Sequence, residues 1–176
     1  MAQTGNIEHR VSRMYEHLLV ALDGSPAAER VLEHAEALAR AFGSAITLVR
    51  ATISPEIVIA ETTPAEAGIG PIASIQDPAP IVEADHDTAV EYLERVATDL
   101  RARGLNVKVE TPEGPAAEVI VARAKELKVG MIFMSTHGRS GLGRVVFGSV
   151  ADSVLRQAET PVLLVRITHA MESASA

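Results

Sequence analysis

The residues best suited to chemistry lie in one stretch, Ser135-Thr136-His137-Gly138-Arg139-Ser140-Gly141-Leu142-Gly143-Arg144, with Gly148-Ser149 soon after it. Glycines let backbone N–H groups come close to an anion. Arg139 and Arg144 add positive charge, and Ser135, Ser140 and Ser149 can donate hydroxyl hydrogen bonds. The apolar run Met131-Ile132-Phe133-Met134 before the stretch reads as a buried strand. Behind it, Val150, Ala151, Val154, Leu155 and Ala158 fall at helical spacing from Gly148-Ser149. Strand, glycine-rich loop and helix N-terminus together make an anion site, because the first helical turn has unpaired N–H groups and a positive dipole end. The same pattern also serves as a tight structural turn. It is neither a Walker A loop nor the dinucleotide fingerprint, since it has no Gly-Lys-Ser/Thr and no G-x-G-x-x-G.

Three other groups of residues invite a chemical reading. Asp23 follows the apolar run Leu18–Leu22. It therefore stands at the C-terminal end of a strand, the edge where open α/β sheets bind ligands. An Asp at such a place equally well forms a turn or caps the next helix. His137 lies within reach of a phosphate on the loop, or is an ordinary packed loop histidine. The cluster Asp85-His86-Asp87 contains metal-ligand types, but no further ligands lie near it in sequence, and acidic residues suit a helix N-terminus. No His or Cys spacing suggests a nucleophile–base pair.

The elements that must position these residues alternate regularly. A strand over Tyr15–Leu22 is apolar throughout its second half, as a central strand covered on both faces should be. Ser25 and Pro26 open a helix that runs to Phe42 and stops at Gly43. A second strand spans Ala45–Ala51. Residues 52–84 read as a long acidic, proline-rich loop that leaves the sheet at its ligand edge. From Ala51 to Glu94 there are nine acidic residues and no Lys or Arg. A helix then runs from the Asp85 cluster to Arg103. The alternating strand Asn106–Thr111 follows, then a helix opened by Pro115, the strand at Met131–Met134, the helix at Gly148-Ser149 and an apolar strand, Val162–Val165. Such alternation predicts an α/β fold: one open, doubly wound, five-stranded parallel sheet of order 3-2-1-4-5, with helices on both faces. The switch point between the first and fourth strands brings Asp23 beside Ser135–Gly138.

Residues 15–167 resemble the universal stress protein family. Its ATP-binding members carry G-x2-G-x9-G-S/T, and Gly138, nine residues and Gly148-Ser149 fit the second half of that pattern, with Ser135 at the place of the first glycine. Asp23-Gly24-Ser25 matches the D-x-S that follows the family's first strand. The resemblance implies a Rossmann-like nucleotide-binding domain. Asp23 would contact the adenosine part of ATP, Ala21, Leu22 and Ala51 would line the base, the phosphates would lie on Gly138-x9-Gly148-Ser149, and Met134, Ser135, Arg139 and Val150 would also contact the nucleotide. Mg²⁺ would arrive with the ATP. It also points to a homodimer, and the continuously apolar Val162–Val165 at a sheet edge invites pairing by itself.

Composition sets the bounds. The 176 residues suit one domain, with flexible segments expected at 1–14 and 168–176. A formal charge of −7 argues against broad binding to nucleic acid or anionic membranes. There is no cysteine, no apolar run long enough to span a bilayer and no signal-peptide apolar region, so a cytoplasmic protein is expected. Efficient phosphoryl transfer needs a positioned water or hydroxyl, which one Asp at the adenosine end does not supply. The expected function is therefore an ATP-binding stress-response module that biases binding of an unknown protein partner. A slow ATPase and a nucleotide-free dimeric interaction module are the alternatives.

Overall fold

The computed structural model describes Arg10 and residues 13–62, 77–137 and 148–167. The tail 168–176, most of the arm 1–14 and the loop residues 138–147, with Gly138, Arg139 and Arg144, lie outside the described residues. The strands are β1 (His17–Ala21), β2 (Ala45–Val49), β3 (Asn106–Glu110), β4 (Met131–His137) and β5 (Val162–Ile167). The helices are α1 (Leu32–Phe42), entered through a 3₁₀ turn at Ala28–Val31, α2 (Pro55–Thr62), α3 (Ala79–Ala102), α4 (Ala116–Glu126) and α5 (Ser149–Gln157). The sheet has the order β3-β2-β1-β4-β5 with every pairing parallel, as the alternation predicts.

Period-two alternation divides the central strands between two apolar layers. Leu18, Val20, Ile46, Leu48 and Phe133 pack with Val31, Ala35, Leu93, Val96, Ala97 and Leu100 from α1, α3 and the 3₁₀ turn. Leu19, Val49, Ile132 and Met134 pack on the other face with Ile120 and Ala124 of α4 and Ala151 and Val154 of α5. Large side chains such as Phe133 and Leu93 are fully buried, and burying each one stabilises the fold by about 1.5–3 kcal/mol. Val162, Leu163, Leu164 and Val165 on the edge strand β5 are only half-buried.

Three expectations need correction. The connection 52–84 is not a loop throughout, because α2 occupies Pro55–Thr62 and α3 begins at Ala79. Proline suits the first position of a helix, and Pro55 begins α2, with the Ser54 carbonyl accepting the Ile57 and Val58 N–H groups. At α3 the carboxylate of Asp77 accepts the Ala79 N–H at 3.0 Å. Asp85, His86 and Asp87 therefore lie inside α3, not at its start. Lastly, β4 does not end at Met134. Ser135, Thr136 and His137 continue in register with Val165, Arg166 and Ile167 of β5, because ladder pairing carries the strand past its apolar stretch. Among the described residues, no helix is long and apolar enough to cross a membrane.

Candidate functional site

A cleft of about 600 Å³ opens at the C-terminal edge of the sheet. That lies within the size range of small-molecule sites. Ala21 and Leu22 at the end of β1, Val49 at the end of β2 and Met134 of β4 give it an apolar base. Ser135 and Thr136 follow on β4, and Gly148, Ser149, Val150 and Ala151 bring in the start of α5. Of the residues the sequence singles out, Ala21, Leu22, Asp23, Ala51, Met134, Ser135, Gly148, Ser149 and Val150 all line this cleft. Gly138 and Arg139 lie outside the described residues.

Asp23 does turn work and also lies on the cleft wall. Its Oδ1 accepts the Ser25 N–H at 2.9 Å, while Ser25 Oγ accepts the Ala28 N–H at 3.1 Å. The two bonds fold the chain from β1 into the 3₁₀ turn, and the exposed carboxylate remains at the cleft. Between them, Gly24 has φ +91°. A Cβ at that position would lie 3.5 Å from a guanidinium nitrogen of Arg50, ordinary contact, so it is the positive φ that calls for glycine.

Gly148 precedes α5 with φ +82° and ψ +150°. This is a backbone conformation essentially reserved for glycine. Its carbonyl accepts the Asp152 N–H at 3.0 Å, so the helix proper starts at Ser149 and its first N–H groups stand at the cleft wall. Among the described residues, no side chain caps this end. The arrangement is an anion site by geometry and by dipole.

Sequence reasoning missed the opposite wall. Arg50 Nη2 donates to Asp85 Oδ1 at 3.2 Å, and Asp85 Oδ2 accepts the Ile53 N–H at 2.9 Å. Both side chains are largely buried, at 17 % and 23 % exposure, and Arg50, Ile53 and Asp85 all line the cleft. Asp85 thus fastens α3 to the chain leaving β2. The signal for Arg50 was a lone charge directly after an apolar strand, at the ligand edge. Asp85 gave none, because its partners are 35 and 32 residues away. Next to this region, burial pushes the Tyr92 phenol well above its ordinary value, and the negative charges of Glu29 and Asp23 push it further.

The comparisons with known proteins agree with this architecture. The universal stress protein family model matches residues 14–166. Universal stress protein MJ0531 of Methanocaldococcus jannaschii is 27% identical over 154 residues, covering 87% of this chain and 83% of that protein. The solved structure of protein MJ0577 of the same archaeon is 25% identical and superposes with a TM-score of 0.69, covering 89% of this chain and 99% of the other. A universal stress protein of Archaeoglobus fulgidus, solved in complex with dAMP, shares the fold with a TM-score of 0.53 at 22% identity, covering 86% of this chain and 98% of the other. A family match across nearly the whole described fold, together with the predicted strand order, leads to one conclusion: this chain belongs to the universal stress protein family.

Proposed function

We propose that the protein is an ATP-binding stress-response module that holds the nucleotide in the cleft between the ends of β1, β2 and β4. One observation carries the reading: nine residues expected from sequence to touch the nucleotide line a single cleft of about 600 Å³. The phosphates lie on Gly138-x9-Gly148-Ser149 and the first turn of α5, next to Val150, with Arg139 adding charge. Asp23 meets the sugar, and Ala21, Leu22, Ala51 and Met134 surround the base, with Ser135 beside them. The donor set fits such a ligand, since uncapped N–H groups of α5 favour phosphate and apolar strand ends favour a purine. Mg²⁺ would be held mainly by the phosphates and water. The A. fulgidus relative in complex with dAMP lends support at the level of the fold.

Binding, not catalysis, is the main role. Each of the two carboxylates among the described lining residues already has a structural task, Asp23 in its turn and Asp85 with Arg50. ATP turnover that Asp23→Ala abolishes would instead support slow hydrolysis. The half-buried apolar residues Val162–Val165 support a homodimer through β5, and an unidentified protein partner would read the nucleotide state. A nucleotide-free interaction module is the second reading, favoured by Ser135 in place of the motif glycine.

Calorimetric titration of ATP into wild type and Gly148→Asp tests the proposal. The variant puts a carboxylate where the phosphates should lie. Mg²⁺-dependent binding in wild type that is lost in the variant is the expected result. No heat with wild type, together with no co-purifying nucleotide, would leave only the interaction module.

A further inference from the structure

Arg50 is the one cation among the described residues lining the cleft. Its guanidinium bonds to Asp85 through a single nitrogen, Nη2. The flank facing Gly24 lies against a residue with no side chain. A largely buried guanidinium with donors to spare calls for an acceptor, and the cleft is where one can arrive.

The position of Arg50 decides which part of a nucleotide it meets. Arg50 directly follows β2, whereas Gly148 stands over β4, 3.9 Å from Thr136 Oγ1 to a Cβ built on the glycine. β1 lies between those two strands, so the walls are two strand spacings apart, roughly 10 Å. With phosphates on the first turn of α5, Arg50 faces the sugar-and-base end.

The local charge then decides what that end is. Asp23 and Asp85 set two negative charges against the one positive charge of Arg50, leaving a net −1 on the described lining. Paired with Asp85 and with Asp23 also on the wall, Arg50 offers little uncompensated positive charge to a further phosphate.

We propose that Arg50 and Asp85 form the subsite for the uncharged nucleoside end of the ligand, and that Asp85, by cancelling the charge of Arg50, makes the cleft select nucleotides phosphorylated only at the 5′ position over those with a further phosphate on the ribose 2′ or 3′ oxygen. This rests on the nucleotide reading above. Arg50 donates to sugar or base acceptors. Asp85 is a positioning residue that holds the guanidinium and the Ile53 backbone in place.

The test compares two ligands on one protein, so partial loss of fold cancels from the ratio. AMP and adenosine 3′,5′-bisphosphate are titrated into full-length wild type, Asp85→Asn and Arg50→Gln. Wild type should bind AMP about tenfold tighter than the bisphosphate, the scale of one close, partly screened like-charge contact. Asp85→Asn leaves Arg50 uncancelled, and the preference should disappear or reverse. Arg50→Gln leaves both carboxylates unopposed, and the preference should widen. Equal or tighter binding of the bisphosphate by wild type, or an unchanged ratio in both variants, would overturn the assignment. Failure of wild type to bind either AMP or ATP would instead overturn the nucleotide reading itself.

Discussion

Replacing Gly148 with alanine isolates the backbone's contribution to the anion site. The residue has φ +82° and ψ +150°. Among the described residues, a Cβ there would meet only Thr136 Oγ1, at 3.9 Å, which is ordinary contact. Space is therefore not the obstacle, and the whole penalty is conformational, about 1–3 kcal/mol for a residue with a side chain in this region. The chain can bear that strain or relax out of it. If it bears the strain, the unfolding free energy falls by that amount while ATP affinity is kept. If it relaxes, the first N–H groups of α5 turn away and affinity falls by roughly five- to 150-fold at nearly full stability. Both quantities are measured on the same protein, by urea unfolding and by calorimetry, and the two losses should sum to about 1–3 kcal/mol. Gly43 serves as the control. It has φ +69° and open space around it but lies at the far end of α1, so Gly43→Ala should cost stability alone. Gly148→Ala with unchanged stability and unchanged affinity would refute the argument that this backbone shape builds the site.

Three further outcomes follow from the packing and the titrating groups. Leu93→Ala empties a fully buried position between α3 and the sheet and should lower unfolding stability by about 2–5 kcal/mol in urea titrations. Asp77→Ala removes the acceptor of the Ala79 N–H at the start of α3 and should cost about 1 kcal/mol, visible as a lower urea midpoint. His17, bonded to Thr47 Oγ1 at 2.8 Å, is held below its ordinary value mainly by burial. Below about pH 6.5 the unfolded chain therefore takes up a proton that the native chain refuses, so stability falls as pH drops from there towards the native value. His17→Gln should flatten that slope between pH 7 and 5, and an identical slope in both proteins would contradict it.

Much of the fold was legible because it is written in local patterns. Leu18–Leu22 and Met131–Met134 are apolar on both faces, which only central strands of a covered sheet allow, and Val107 and Val109 alternate as an edge strand should. What escaped depended on partners distant in sequence. Ser135–His137 look like loop, yet pairing with Val165–Ile167 extends the strand through them. Asp85 resembled a helix-start acid, but the helix begins at Ala79, and the aspartate bonds directly to Arg50 and the Ile53 N–H on the same wall of the cleft. Half of the site followed from glycine spacing at the end of a strand and from the resemblance carried by Asp23-Gly24-Ser25 and Gly138-x9-Gly148-Ser149. The other half is a tertiary ion pair, which no spacing rule announces.

The most direct test of the central claim is a map of backbone amide shifts on adding Mg²⁺-ATP to isotope-labelled protein. The account predicts that the largest shifts cluster at Ala21, Leu22, Asp23, Ala51, Ser135, Ser149 and Val150, with Arg50 and Ile53 moving alongside them. An unchanged spectrum, or shifts confined to the outer faces of α1 and α3, would contradict it.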